Sequence, residues 1–210
     1  MRRELHVRFY EGGGVRFLSA TRLNVYVRSR RAGEDAMQTL RHLYARLRLR
    51  INEAKSAVDR PWNRKFLGYS FWVAPGKNVK RRVAAKALEA MKTRVREITA
   101  RNRGRSMKTV FAELRSYLQG WKEYFRLADT PRIFSDLDEW TRHRLRAMQL
   151  KQWRRGTTVY RELRARGMPH VLSAKVAAGT RRWWWNASKH LNIALPTSYY
   201  DKEGVPRLAT

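Results

Sequence analysis

The side chains with the clearest chemical potential are cations set at helical spacing. Arg132, Arg142, His143, Arg144, Arg146, Lys151, Arg154 and Arg155 crowd one stretch of the chain. Lys86, Lys92, Arg94, Arg96, Arg101, Arg103 and Arg105 form a second group. Arg181 and Arg182 stand directly before Trp183-Trp184-Trp185. A guanidinium forks two donors onto a phosphate and also stacks on a base. A helix face carrying several such groups can follow a phosphate backbone, and each neutralised phosphate adds a salt-dependent contribution. Few carboxylates are interleaved, so a face merely turned to water would suffer like-charge repulsion. Three consecutive indoles cannot all face one way in regular structure. One or two of them are expected to anchor the chain's end to the helical body, with at most one ring free to stack on RNA.

The other chemistries find little support. No phosphate loop, dinucleotide fingerprint, zinc-protease helix or nucleophile elbow occurs. Gly12-Gly13-Gly14 lacks the Lys-Ser/Thr that a phosphate loop needs. His6, His42, His143, His170 and His190 are scattered and have no cysteine partners, so no metal site is expected. Asp136, Asp138 and Glu139 cluster, but they lie in the N-terminal half of a helix, where the macrodipole and arginine neighbours account for them. No catalytic residue, no cofactor and no small-molecule substrate is expected.

The chain has 210 residues with 47 Lys plus Arg against 17 Asp plus Glu, a net charge of +30. A compact body so charged repels itself unless a polyanion neutralises it, which places nucleic acid ahead of an anionic membrane as partner. A hydrophobic content of 43% suffices for a core. No apolar run is long enough to cross a bilayer. The start has no targeting core, and cysteine is absent. A cytoplasmic protein of bacterial type, associated with nucleic acid, is expected.

These residues need elements to hold them. Residues 1–22 read as a poorly defined arm or one short strand. Leu23, Val25 and Val27 alternate with polar neighbours, the period of a strand with one buried face. Ser29 or Gly33 starts a helix over 34–47, and an extended piece follows before Pro61. Phe66 to Val73 and Val79 to Arg82 read as a hairpin turned at Pro75-Gly76. Apolar stripes then predict helices over 83–100, 107–126 (capped by Ser106) and 131–154, with a shorter one near 158–166. Trp121 and Trp140 sit on these stripes and are expected in the core. The expected fold class is mainly α with a small α/β remnant. The expected divisions are 1–22, a strand–helix–hairpin over 23–82, a helical region over 83–170, and an irregular tail over 171–210 packed on the helices.

Several motifs occur in an order that resembles group II intron-encoded reverse transcriptases and maturases. Asn24-Val25-Tyr26-Val27-Arg28-Ser29-Arg30-Arg31-Ala32-Gly33 resembles the segment just after their catalytic motif. Phe66-Leu67-Gly68-Tyr69 resembles their FLGF-type motif at the passage from palm to thumb. Leu118-Gln119-Gly120-Trp121-Lys122-Glu123-Tyr124-Phe125 is similar to the "RGWxNYF" motif of the maturase-specific region, and the stretch from Asp136 to Arg146, with Lys151-Gln152-Trp153, continues the pattern. Asn192 to Tyr200 resembles the family's ending, "NxALPNAYF". The resemblance covers roughly residues 23–205. It implies a partial palm over 23–82 followed by a helical thumb and maturase region.

The departures from the family matter as much. Family members carry Tyr-Ala-Asp-Asp immediately before the Asn-Val-Tyr-Val strand, and here those positions read Ser19-Ala20-Thr21-Arg22. Against the family's pattern both metal-binding aspartates are replaced, and the resemblance implies that the fingers and the palm half carrying the remaining metal ligand are missing. The resemblance therefore implies an N-terminally truncated relative that binds structured intron RNA to assist splicing, without its own polymerase centre. Mg²⁺ would belong only to full-length relatives and to folded intron RNA. Two other readings stay open: an RNA-directed DNA polymerase completed by a second chain, and a truncated gene product without function. The partner expected is group II intron RNA or another structured RNA. The exposed palm edge also invites self-association.

Overall fold

The computed structural model describes residues 5–10 and 22–209. The Gly12-Gly13-Gly14 run and positions Ser19, Ala20 and Thr21 lie outside the described residues. The chain forms two compact units, Met1–Ala84 and Ala85–Thr210. The fold is mainly α with a small α/β portion.

The first unit contains two three-stranded antiparallel sheets. In one, β1 (Leu5–Tyr10) is central, with β2 (Arg22–Val27) on one side and β3 (Ala57–Asp59) on the other. Val7 pairs with Val25 in β2 and with Val58 in β3. The arm expected over 1–22 thus supplies β2 with a partner strand, and β2 remains at the sheet's edge. Helix α1 (Arg30–Arg46) starts earlier than its apolar periodicity suggests, because the Ser29 hydroxyl accepts a hydrogen bond from the Ala32 amide at 3.1 Å. Met37 is buried on this helix and packs against Leu23, Val25, Leu40, Ile51 and Val58. The helix ends in a left-handed Arg48 (φ 55°), with the Leu49 amide reaching back to Tyr44 O at 2.9 Å and the Arg48 amide to Ala45 O at 3.0 Å. A 3-10 turn at Pro61–Asn63 leads into the second sheet.

That sheet runs β4 (Lys65–Phe66), β5 (Tyr69–Val73), β6 (Val79–Val83). The expected hairpin is present and is turned at Pro75-Gly76, with Gly76 at φ 84° and the Lys77 amide donating to Ala74 O at 3.1 Å. A second, tighter hairpin precedes it. Phe66 pairs with Tyr69, so the loop is only Leu67-Gly68, and both residues have positive φ (48° and 78°). This is the turn whose twist matches paired strands, and it favours Asn over Leu at its first position.

The second unit is helical: α2 (Ala85–Ile98), α3 (Met107–Phe125), α4 (Pro131–Trp153), α5 (Gly156–Ala165), α6 (His170–Ala178), α7 (Trp183–Lys189), α8 (Leu191–Ala194) and α9 (Thr197–Lys202). Ser106 caps α3 by accepting from the Thr109 amide at 3.2 Å. Met91, Val95 and Ile98 of α2 are buried, as are Val110, Leu114 and Leu118 of α3 and Leu145 and Met148 of α4. Residues 171–210 are not an irregular tail. They hold α6 to α9 and contribute Val176, Leu191, Leu195, Tyr200, Val205 and Leu208 to the same core. Tyr200 meets Phe111 edge-on, with ring centroids 6.0 Å apart.

Backbone polar groups after α9 are taken up by side chains of α3 and α4. Arg115 donates to Gly204 O and Glu203 O, each at 2.9 Å. Gly204 sits at φ 80° against that guanidinium, leaving no room for a Cβ. Asp138 accepts from the amides of Leu208 (2.9 Å) and Ala209 (3.0 Å) and from Arg142 Nη1 (2.9 Å). Arg142 Nη2 reaches Pro206 O at 3.2 Å and Asp201 Oδ1 at 3.4 Å. The Arg142 side chain is 2% exposed. This buried cation ties α4 to α9 and the segment after it.

Two outcomes are expected. Replacing Arg142 with Leu leaves Asp138 without its buried counter-cation and the Val205 and Pro206 carbonyls without their donor, and should destabilise the helical unit by about 3 kcal/mol or more. The measure is a lower urea midpoint at unchanged slope. Leu67→Asn should raise the stability of the first unit by about 1 kcal/mol by relieving a left-handed leucine; an unchanged or lower midpoint would refute that account of the turn.

Candidate nucleic-acid interface

The fold sorts the cations that sequence groups together. Arg142 and Arg146 are buried. Arg142 is enclosed as described, and Arg146 is buried with its Nε donating to Leu195 O at 2.9 Å. Burial lowers the proton affinity of Arg146, opposed by the neighbouring Tyr200. Both were expected to touch RNA, and both instead hold the C-terminal helices. Their positions four apart on α4 put them on the face that packs inward, beside Leu145 and Met148.

A second set is engaged at the surface. Arg94 bridges Glu97 and Glu113, each at 3.0 Å, and Arg105 also pairs with Glu113. Arg96 and Arg144 flank Trp140, with guanidinium carbons 5.6 and 5.4 Å from its ring. Trp140 is therefore half-buried between two cations rather than in the core, whereas Trp121 is buried as expected. Arg144 also donates to Thr99 Oγ1 at 2.8 Å. Burial lowers its proton affinity, and the nearby charges of Arg96 and Arg101 add to that.

A third set has no ion pair or side-chain hydrogen bond with the described residues: Lys86, Lys92, Arg103, Lys151, Arg154, Arg155, Arg181 and Arg182. Three of these converge. Lys151, Arg154 and Arg181 line a cleft of about 970 Å³ together with Arg101, Asn102, Leu150, Thr180 and Trp183. No carboxylate lines it.

Three pieces of chain build this cleft. Arg101 and Asn102 come from the turn after α2, Leu150 to Arg154 from the end of α4, and Thr180 to Trp183 from the α6–α7 turn and the first position of α7. Aromatic contacts hold them in place. The Arg101 guanidinium carbon lies 3.1 Å from the Trp183 ring centroid. His143 of α4 stacks on Trp184 at 3.8 Å and donates from Nε2 to Trp184 O at 2.9 Å. Gln152 donates to Arg105 O at 2.7 Å, fixing the α2–α3 turn against the end of α4. Arg154 itself is strained. Its φ of 55° and ψ of −69° centre a γ-turn closed by the Arg155 amide on Trp153 O at 2.7 Å, a rare conformation for any L-residue. Burial lowers the proton affinity of Arg101.

The tryptophan triplet is thus anchored through all three rings. Trp185 meets His190 edge-on at 4.9 Å with Lys175 6.0 Å away, yet Trp184 and Trp185 keep 39% and 44% exposure. The sequence leads to one or two anchoring rings, whereas all three make contacts, and it does not show that Trp183 also forms a cleft wall beside Arg101. The Arg181-Arg182-Trp183 adjacency was the available signal.

The acidic cluster has a structural role. Asp138 is occupied by Arg142 and two amides, while Asp136 and Glu139 are exposed. Among the described residues no group of three or more His, Asp or Glu could hold a metal ion. No described helix is long and apolar enough to cross a membrane.

Residues 88–167 match the family model described as group II intron, maturase-specific domain. No curated protein matches the chain. The matched segment runs from Leu88 in α2 to Gly167 after α5 and includes Arg101, Lys151 and Arg154 of the cleft, while Arg181 and Trp183 lie beyond it. The helical unit thus contains a group II intron maturase-specific domain, corresponding to the C-terminal region of group II intron-encoded maturases.

Proposed function

We propose that this protein binds structured group II intron RNA through the exposed cations of its helical unit and assists splicing, without a polymerase centre of its own. The observation that carries the reading is the uncompensated charge around the end of α4. Lys151, Arg154, Arg155, Arg181 and Arg182 have no acidic partner among the described residues, in a segment that begins inside the maturase-specific domain. Arg94, Arg105, Arg142, Arg146 and Arg166 of the same unit do have partners, so the cations left free are the ones available to phosphates. The surface assigned to RNA is therefore narrower than composition suggests. It comprises Lys86, Lys92, Arg103 and the cations around the cleft, with Arg94, Arg96, Arg105 and Arg144 holding rings and carboxylates beside it. The polymerase part of the reading rests on sequence, since Ser19-Ala20-Thr21-Arg22 stand where the related enzymes carry their aspartates.

Binding to a group II intron RNA should weaken steeply with salt. Converting Lys151, Arg154 and Arg155 together to Ala should reduce the magnitude of the log–log salt slope by about one unit per lost phosphate contact. A mobility-shift titration across ionic strength reads both, and salt-independent binding would defeat the proposal. In a splicing assay at limiting Mg²⁺ the protein should accelerate intron excision, and in primer extension on an RNA template it should yield no product; extension of the primer would restore the polymerase reading.

A further inference from the structure

We infer that the cleft at the end of α4 receives an unpaired nucleotide of the bound RNA, a bulged or looped-out base with its flanking phosphates, and not the side of a regular duplex. This rests on the reading of the domain as an RNA binder and specifies what one part of its surface recognises.

Shape is the first argument. An A-form helix presents its phosphates on a convex outer surface and keeps its bases stacked inside. A recess of about 970 Å³ walled by three separate pieces of chain complements a group that projects from a helix, not the helix itself. The second argument is the mixture of wall chemistry. Phosphate contact alone would need only cations on an open face, as at Lys86 and Arg103. Here cations stand beside surfaces suited to a base. Trp183 carries the Arg101 guanidinium on its ring, so a planar cation backed by an indole faces the recess. Arginine planes and aromatic rings are what unstacked bases pack against. The Asn102 amide and Thr180 hydroxyl supply donors and acceptors for a base edge.

Charge and strain agree with these. Arg101 is partly withdrawn from water without a carboxylate to compensate it, so an anion entering the cleft would offset a desolvation cost already present. Arg154 holds its rare backbone conformation at the cleft wall, and residues so strained concentrate at ligand sites. A second recess with arginine walls, beside Asp138, differs in kind. It contains Asp138 and Glu139 beside Arg142 and Arg146, and its cations are already bonded within the protein.

The test compares two RNA stems, one with a single bulged 2-aminopurine and one with that nucleotide deleted, each titrated with the full chain at physiological salt. The bulged stem should bind roughly tenfold tighter, the gain expected from stacking one base, and its fluorescence should be quenched on binding. In the Arg154→Ala/Arg181→Ala double variant, both stems should bind more weakly through the lost phosphate contacts, but the bulged stem should lose about tenfold more, so that the preference vanishes. Circular dichroism melting confirms that the variant is folded. Equal affinity of the wild-type chain for both stems, or loss on both stems in the same proportion, would overturn the inference while leaving salt-dependent RNA binding in place. Failure to bind either stem or intron RNA would overturn the reading beneath it as well.

Discussion

Seventeen carboxylates cannot neutralise forty-seven basic side chains, and the placement of that deficit governs the structure. At its most deeply buried cation the chain uses acids: Asp138 and Asp201 meet Arg142 inside the helical unit, whereas the buried Arg146 is held by the Leu195 carbonyl. A buried cation left alone would cost several kcal/mol, so these carboxylates are required where they are and are unavailable elsewhere. Exposed pairs such as Arg30 with Glu34 add little to stability. The remaining cations must tolerate one another in water or be covered by something other than a carboxylate.

Aromatic rings supply part of that cover. Arg96 and Arg144 lie over Trp140, Arg101 over Trp183, and Arg166 over Trp153 at 5.1 Å; in the first unit Arg60 lies over Trp62 at 5.3 Å. Each contact is worth about 0.5–1 kcal/mol at an exposed site. A ring also leaves the cation's charge intact, whereas an ion pair cancels it. Abundant tryptophan and abundant arginine are thus one feature of the sequence. The rings hold cations in position while preserving the positive field that a polyanion would meet.

This division explains what could be read from sequence. Helices α2, α3 and α4 show in the spacing of Met91, Val95 and Ile98, of Leu114, Leu118 and Trp121, and of Leu137, Leu145 and Met148, because each buries one stripe. Helices α6 to α9 do not show, because segments of one to three turns offer too few residues for a period, and α6 scatters its apolar residues around its axis. The two-residue turn at Leu67-Gly68 escapes notice since leucine is an unusual occupant of its first position. Arg142 and Arg146 were misplaced because a basic residue is read as solvent-facing by type. The contrary signal was geometric: Asp138 stands one turn before Arg142, on the side of α4 that carries Leu145. The cleft was legible in its cations Arg101, Lys151, Arg154 and Arg181. Their convergence was not, since it depends on the α6–α7 turn, whose course no periodicity announces.

That turn makes the C-terminal helices part of the cleft, and so of the proposed RNA-binding surface. The maturase-specific match ends at residue 167, yet Thr180, Arg181 and Trp183 form one wall of the cleft. The wall is held from two directions. Near the cleft, His143 stacks on Trp184 and Arg101 packs on Trp183. Farther along, Leu191, Leu195 and Tyr200 enter the core, and Asp138, Arg142 and Arg115 fasten the segment after α9. The fastening therefore acts at a distance from any phosphate. Arg142 has no path to RNA, but loosening its network would free the segment that carries Arg181 and Trp183, and so would weaken the cleft through loss of preorganisation rather than loss of charge. Cations with opposite surroundings thereby serve the same surface. Those paired inside α4 set its geometry, and those left unpaired at the end of α4 give it its electrostatic attraction.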